Sequence, residues 1–324
     1  MHAADHYTTS QSFSFEFFPP KTPEGSERLF HHIEELQQLA PSFVSVTYGA
    51  GGGTRELTQR LVVRLKAETS LAVVPHLTCV THTESEIAEI LETYAQAGIR
   101  NILCLGGDPP KDDPNYDRSG DRFRHAIDLV NYVHEFNAKH ASSMPDARGF
   151  GVLVAGFPEG HPATPNRLLE MDYLKAKVDS GSHVIVTQLF FDNRDFYDFR
   201  DRCRLAGITV PIVAGIMPIT SAKGLRRMAE LAACSRFPAP LLKGVQRAID
   251  SHGGEDSPEA KDAVRRVGVH WATEQSRDLI DHDVDGIHFY TLNHSTATAE
   301  IYKTLGVRDS SCLTAGASRP ASPA

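Results

Sequence analysis

The chain has 324 residues, of which 41% are hydrophobic and 23% charged, a size and composition typical of one large or two medium globular domains. Its formal net charge of −8 gives it no general attraction to nucleic acid. No apolar run reaches the roughly 20 residues that span a bilayer, and the polar start of the chain lacks the apolar core of a signal peptide. We therefore expect a cytoplasmic protein with neither a membrane nor a nucleic-acid partner.

Eight apolar runs of strand-like composition recur along the chain, at 13–18, 43–48, 71–79, 101–107, 149–157, 183–191, 211–217 and 286–293. Stretches with helical spacing of apolar residues separate them, at 25–39, 54–69, 84–98, 119–139, 164–180, 192–205, 222–233 and 296–305. Alternating strands and helices indicate a parallel sheet with right-handed crossovers. Eight such units predict an α/β fold of the closed (β/α)8 type, a TIM barrel. An open doubly wound sheet is the alternative.

The segment between the seventh and eighth strands, 218–285, is too long for a single helix, so we expect extra helices there. No linker-like composition interrupts residues 13–307, which predicts a single barrel domain. Residues 1–12 are expected to be a flexible N-terminus. Residues 308–324 are rich in small side chains and predict a disordered tail.

A glycine-rich stretch, VTYGAGGGTRE at 46–56, follows the second strand. It lacks the third glycine of the dinucleotide fingerprint and the lysine of a P-loop, so neither motif is present. The glycines indicate either a flexible turn or a loop whose backbone must approach a ligand closely.

The first strand carries a carboxylate, Glu16, on the face opposite to Phe13, Phe15 and Phe17. In a TIM barrel the active site lies at the carboxyl ends of the strands. A carboxylate in a segment with four phenylalanines is costly unless it is paired or protonated. Glu16 is therefore either half of a structural ion pair or a general acid.

Polar residues also lie in or directly after five further strands. Taken singly, a strand histidine is most often a satisfied core residue, and an aspartate between glycines and prolines suits a turn. A glutamine amide both donates and accepts, which suits the edge of an amide-like heterocycle. Together these groups predict a ligand site at one end of the barrel; they are Thr47, Tyr48, His76, Asp108, His161, Thr187 and Gln188. The chain has neither an HxH nor an HExxH motif, and we expect no metal site.

Nine motifs occur in one order along the chain: FSFEFFPPK, VTYGAGG, PHLTC, GGDPP, GFPEGHP, KVDSG, TQLFFD, GIMPI and HFYTLN. With this order and spacing, the chain resembles the 5,10-methylenetetrahydrofolate reductases of the short bacterial type over about residues 13–307. The resemblance implies a single catalytic TIM-barrel domain that binds FAD. It implies reduction of methylenetetrahydrofolate to 5-methyltetrahydrofolate by NADH or NADPH, in a ping-pong reaction that supplies methyl groups for methionine synthesis. It also implies a homo-oligomer.

The resemblance assigns roles to individual positions. Glu16 matches the general acid, Asp108 matches an aspartate near flavin and folate, and Gln188 matches a folate-binding glutamine. The matching cofactor-binding positions are Thr47, Tyr48, Ala50, His76, Gly107, Asp108, Ala126, Phe157, His161, Glu170 and Lys177.

The sequence departs from the family pattern at several positions, where Gly106 replaces an arginine, Phe157 a tyrosine, Glu170 an aspartate, Ala222 an aromatic residue and His294 an arginine. These departures bear on how the cofactor phosphates and the folate are held, and not on the class of reaction. Two other functions are consistent with the residues alone. One is a barrel lyase or aldolase without flavin that uses Asp108 or Glu16, and the other is a non-catalytic barrel that binds folate or a partner protein.

Overall fold

A computed structural model describes residues 1–7, 11–49, 55–110, 113, 115–232 and 235–310. Its eight strands form a closed barrel in which each strand pairs in parallel with the next and β8 pairs with β1. The TIM-barrel prediction is therefore confirmed. The strands are β1 (Ser12–Phe17), β2 (Val44–Val46), β3 (Val73–Thr78), β4 (Asn101–Leu105), β5 (Gly151–Gly156), β6 (Val184–Leu189), β7 (Ile212–Ile216) and β8 (Gly286–Tyr290).

Helices follow the strands as the apolar spacing predicts. They are α1 (Ala3–His6), α2 (Pro23–Gln37), α3 (Arg55–Glu68), α4 (Glu84–Gln96), α5 (Ala126–His140), α6 (Arg167–Asp179), α7 (Asn193–Leu205), α8 (Ala222–Leu231), α9 (Ala239–Asp250), α10 (Pro258–Asp281) and α11 (Thr296–Leu305). Local signals set several ends. Thr83 and Glu86 form a capping box at the start of α4. Gly98, which has a φ of 77°, adopts the left-handed conformation just after that helix.

Three helices, α8, α9 and α10, fill the long segment between β7 and β8, which confirms the expected insertion. They enclose a hydrophobic cluster of their own that includes Met217, Ile219, Leu241 and Val264. The cluster extends to Phe191 after β6, whose carbonyl accepts a 3.0 Å hydrogen bond from the Trp271 indole. The insertion therefore packs onto the carboxyl ends of β6 and β7.

The loop between β4 and α5 is longer than the apolar spacing predicts. The helix expected from residue 119 begins at Ala126, and Arg118–Gly120 form a 3-10 turn instead. The Asp128 carboxylate accepts hydrogen bonds from the backbone amides of Arg124 and His125, at 2.8 and 2.9 Å. Because these two amides are satisfied by a side chain, the helix begins only after them.

The barrel strands have two different faces. Val74, Leu103, Leu153, Val184 and Val213 belong to the cluster that fills the barrel interior. The outward residues, including Phe13, Phe15 and Phe17, pack against the surrounding helices, as alternation along β1 predicts. The phenylalanines therefore point away from Glu16 and do not surround it.

Both ends of the described chain make contacts with the barrel. Within 1–12, where a flexible N-terminus is predicted, α1 places the Ala3 amide 2.6 Å from the Asn101 Oδ1 atom. Within 308–324, the Ser310 amide donates to the Leu39 carbonyl at 2.9 Å. Residues 311–324 lie outside the described part. None of the helices in the described ranges is long and apolar enough to cross a membrane.

Candidate active site

Glu16 lies near the carboxyl end of β1, inside the barrel mouth. Its Oε2 atom is 3.4 Å from His76 Nε2 on β3 and 3.9 Å from His288 Nε2 on β8. The Glu16 side chain is 18% exposed, whereas those of His76 and His288 are 10% and 1% exposed. The carboxyl group therefore sits at the boundary between the packed interior and the open mouth.

Burial disfavours the charged form of His76, the histidine nearest to Glu16. Burial lowers the pKa of His76; the negative charge of Glu16 opposes this shift, and His288 adds to it. Across the ranges that the structure describes, no lysine or arginine lies within ion-pair distance of Glu16. The ion-pair interpretation of Glu16 thus has no lysine or arginine to support it among the described residues.

His288 is a site residue that sequence reasoning did not single out. Its Nδ1 atom lies 2.8 Å from the Ser14 hydroxyl, and its Nε2 atom lies 3.1 Å from the Ser45 hydroxyl. The Phe43 ring stacks on it at a centroid distance of 5.5 Å. The available signal was alternation along β8, which places His288 on the same face as Tyr290. Closure of β8 against β1 then brings this face beside Glu16.

Gln188 lies at the end of β6, where the pairing with β7 shifts register between Val186 and Leu189. The Gln188 Oε1 atom accepts a 2.9 Å hydrogen bond from the Leu189 amide. The Thr187 carbonyl accepts a 2.8 Å bond from the Tyr290 hydroxyl. Burial raises the pKa of Tyr290, and the Glu16 charge adds to this. The register shift between β6 and β7 is an irregularity of the kind found at barrel rims, where it changes the direction of the neighbouring side chains.

The turn after β8 holds the end of β1. The Thr291 hydroxyl donates to the Glu16 carbonyl at 2.7 Å. The Asn293 side chain accepts from the Phe18 amide at 2.9 Å and donates to the Phe18 carbonyl at 2.8 Å. Leu292 and Asn293 both have positive φ, at 51° and 62°, which is uncommon outside glycine. The turn therefore fixes the backbone on both sides of the strand end that carries Glu16.

A second group of predicted site residues gathers at the ends of β4 and β5. Asp108 is exposed and lies close enough to His161 to raise its pKa, although burial and Lys177 lower that pKa overall. The His161 ring meets the Phe157 ring edge-on, with centroids 4.6 Å apart. We call Asp108, His161, Glu170 and Lys177 the rim group.

Burial shifts the pKa values of two further members of the rim group, Glu170 and Lys177, in the directions expected for desolvated charges. The pKa of Lys177 falls to about 8, and its Nζ atom donates to the Ala155 carbonyl at 2.9 Å. The pKa of Glu170 is raised by burial, and its Oε2 atom has no hydrogen-bond partner among the described residues. An unpartnered buried carboxylate oxygen near an amine is an arrangement that a polar ligand can complete.

The remaining predicted cofactor positions that the structure describes lie after β2, after β4 and at the start of α5. Gly107 follows β4 with a φ of 78°, and Ala126 begins α5 beside Gly106. Thr47 follows β2, and its carbonyl accepts a 3.0 Å bond from Thr58. Tyr48 is buried in the main core, where its hydroxyl lies within hydrogen-bond distance of the His82 ring, at 2.9 Å. Ala50 lies outside the described residues.

Ala222 and His294 are two of the positions at which the sequence departs from the family pattern. Ala222 is the first residue of α8 and is buried in the cluster of the insertion. His294 follows β8, and its ring lies 5.5 Å from the His32 ring on α2.

Comparisons with known proteins identify the family. The family model of methylenetetrahydrofolate reductase matches residues 2–306. The 5,10-methylenetetrahydrofolate reductase of Escherichia coli (strain K12) is 37% identical over 295 residues, which cover 91% of this chain and 90% of that protein. Methylenetetrahydrofolate reductase (NADH) 1 of Arabidopsis thaliana is 38% identical over 309 residues, covering 93% of this chain and 49% of that protein. The chain thus spans about half the length of its plant relatives.

A solved structure supports the fold alone. It is an uncharacterised protein from Clostridium thermocellum that binds two copies of 5-methyl-5,6,7,8-tetrahydrofolic acid, and it superposes with a TM-score of 0.63 at 14% identity. The superposition covers 94% of this chain and 95% of that one. With a family model that matches nearly the whole described chain and relatives above one-third identity, the chain belongs to the methylenetetrahydrofolate reductase family.

Proposed function

We propose that this protein is a cytoplasmic flavoenzyme that reduces 5,10-methylenetetrahydrofolate to 5-methyltetrahydrofolate, and so supplies methyl groups for methionine synthesis. Family membership supports the reaction, and the name of the Arabidopsis relative favours NADH as the hydride source. The observation that carries the proposal is the position of Glu16, a carboxyl group in the barrel mouth beside His76, whose pKa is lowered by burial, and with no lysine or arginine at ion-pair distance in the described ranges. Assembly into a homo-oligomer remains a prediction from family resemblance.

The residues at the ends of β4 and β5 fit FAD as the cofactor. Lys177 and the His161 ring suit phosphate oxygens, and the unpartnered Glu170 Oε2 atom suits a hydroxyl donor such as those of the cofactor's ribityl or ribose groups. Gly107 would contribute its backbone to the cofactor site, because the side on which a Cβ atom would lie is filled by Thr78 and Val80. Bound there, FAD would supply the hydride-transfer chemistry between nicotinamide and folate, and the protein residues would supply orientation and charge.

Glu16 is proposed to donate a proton to N10 of the folate. The five-membered ring that bridges N5 and N10 is a poor hydride acceptor, and protonation at N10 allows it to open to an N5 iminium. A positioned acid is therefore needed. The hydrogen bond from Thr291 to the Glu16 carbonyl fixes the backbone of this acid, while the mouth leaves its side chain partly open to a ligand.

Asp108 and Gln188 are proposed to orient the folate and stabilise its charge. Asp108 is exposed at the rim, where its negative charge stabilises the cationic iminium by Coulomb attraction. Gln188 is partly exposed at the end of β6, and its amide can donate and accept along the pterin edge.

The test of the acid is Glu16→Gln, which keeps the shape of the side chain and removes the carboxyl proton. We expect NADH to reduce the bound flavin at the normal rate, whereas reduction of methylenetetrahydrofolate falls by about 10²- to 10⁴-fold, the usual contribution of a general acid. Glu24→Gln is the matched control, since Glu24 is exposed on α2. Normal folate reduction by the Glu16→Gln protein would remove Glu16 from the mechanism.

The visible spectrum of the purified protein separates this function from the other two. A yellow protein that releases FAD and oxidises NADH is the expected result. A colourless protein that takes up no added FAD rules out the flavoenzyme and favours a lyase or aldolase. Bound flavin without NADH oxidation favours a barrel that only binds folate.

A further inference from the structure

The loop between β4 and α5 places an arginine against the carboxyl ends of β3 and β4. Arg118 Nη2 donates to the Gly106 carbonyl at 3.0 Å, and Nη1 donates to the Gly107 carbonyl at 3.3 Å. Nη2 also lies 3.4 Å from the Cys79 Sγ atom, at the end of β3. One guanidinium group thus contacts two successive carbonyls and the neighbouring strand end.

The same guanidinium forms an ion pair on its other side. Its Nε atom lies 3.5 Å from the Asp121 Oδ2 atom without a hydrogen bond between them, and Asp121 Oδ1 accepts a 2.6 Å hydrogen bond from the Tyr116 hydroxyl. The side chains of Arg118 and Asp121 are only 25% and 9% exposed. A planar guanidinium with several donors is well suited to such a fixed, many-sided contact.

The turn that Arg118 contacts needs an external support. Gly106 and Gly107 are consecutive glycines, which lose the most backbone freedom on folding. Gly107 is left-handed, and a Cβ atom on it would lie 2.6 Å from Val80 Cγ1, so only glycine fits there. Gly106 has no side chain to anchor the turn. A Cβ atom built on it would lie 3.9 Å from Arg118 Nη1. The turn ends directly on Asp108.

We propose that Arg118 is a positioning residue of the active site, which sets the direction of Asp108 by fixing the Gly106 and Gly107 carbonyls. This inference rests on the proposed function, in which Asp108 acts on the folate. The Gly106 carbonyl also accepts from the Val80 amide at 3.2 Å, whereas Arg118 supplies the hydrogen bond to the Gly107 carbonyl. Loss of the guanidinium therefore releases the peptide group that joins Gly107 to Asp108, and the Asp108 carboxylate moves away from its working position. Small displacements of this kind have large effects on rate, because reacting groups must be aligned.

The test compares Arg118→Ala and Arg118→Lys with Arg122→Ala as a matched control. Arg122 lies on the same loop and pairs with Glu84 at 3.1 Å, away from the glycine turn. In stopped flow with FAD-loaded enzyme, Arg118→Ala should slow reoxidation of the flavin by methylenetetrahydrofolate by about 10- to 100-fold, and should slow flavin reduction by NADH much less. Arg118→Lys should recover part of the reoxidation rate, since an ammonium keeps the charge but lacks the planar fork of donors that spans both carbonyls.

A double-mutant cycle with Asp108→Asn separates positioning from a general structural role. If Arg118 acts through Asp108, then Arg118→Ala adds little further loss in the Asp108→Asn background, because the two effects are coupled. Fully additive losses, or an Arg118→Ala enzyme as fast as the wild type, overturn the inference. If Arg118→Ala does not fold, the same double-mutant cycle is made with Arg118→Lys, and its reoxidation rates test the inference in the same way. A wild-type protein that reduces no folate instead refutes the proposed function.

Discussion

Gly268 lies within α10, where its Cα faces the segment that follows β7. A Cβ atom built on Gly268 would lie 1.8 Å from the Ile219 carbonyl oxygen and 2.6 Å from its carbonyl carbon. Helix propensity alone predicts that alanine at this position stabilises the protein by about 1 kcal/mol. The tertiary contact predicts the opposite, because the nearest atoms are backbone and cannot rotate away.

The size of the effect follows from the overlap. Since non-bonded heavy atoms approach to about 3.5 Å, relief requires α10 or the Ile219 segment to move by more than about 1 Å. Overpacking a well-packed core costs about 1–3 kcal/mol, and more when the backbone must shift. Taking about 4 kcal/mol for this strain and subtracting about 1 kcal/mol of propensity, we expect Gly268→Ala to destabilise by about 3 kcal/mol.

Urea unfolding followed by far-UV circular dichroism measures this difference, provided that the slope m is unchanged between the proteins. Gly244→Ala in α9 is the matched control. Its new Cβ atom would meet only the Val267 Cγ1 atom, at 3.2 Å, so we expect its stability to stay within about 1 kcal/mol of the wild type. A Gly268→Ala protein as stable as the wild type would refute the reasoning, because propensity would then outweigh the contact.

Two further predictions concern pH. The pKa of Lys177 falls from 10.5 to about 8 on folding, so between these values the unfolded chain binds a proton that the native state does not, and the free energy of unfolding rises with pH. Lys177→Met should abolish this rise in urea-unfolding titrations and weaken FAD binding; an unchanged rise contradicts the assignment. Burial lowers the pKa of His183 from 6.5 to about 4, and its Nδ1 atom accepts from the Val152 amide, so stability should fall as pH drops between these values. His183→Gln should reduce this loss of stability at low pH, whereas His270→Gln, at an exposed position, should not. Equal curves of unfolding free energy against pH for the two variants would contradict the reasoning.

The candidate active site shows which features local sequence patterns can predict. Alternation along β1 correctly separated Glu16 from the phenylalanines, and the carboxyl ends of the strands marked where the polar groups lie. His288 was missed because its importance depends on closure of β8 against β1, across more than 270 residues of sequence. Arg118 was missed because its partners, Cys79 and the two glycine carbonyls, are identified only by contact. The assigned roles of all these residues remain predictions.

The sequence by itself determined the eight strand and helix units, the insertion before β8 and the end of the barrel at which polar residues collect. These features follow from apolar periodicity and turn chemistry, which act over a few residues. Three features depend on the tertiary structure: the lowered pKa of His76 beside Glu16, the start of α5 at Ala126 and the requirement for glycine at position 268. Each of these depends on burial or close contact between distant segments, which no short pattern contains.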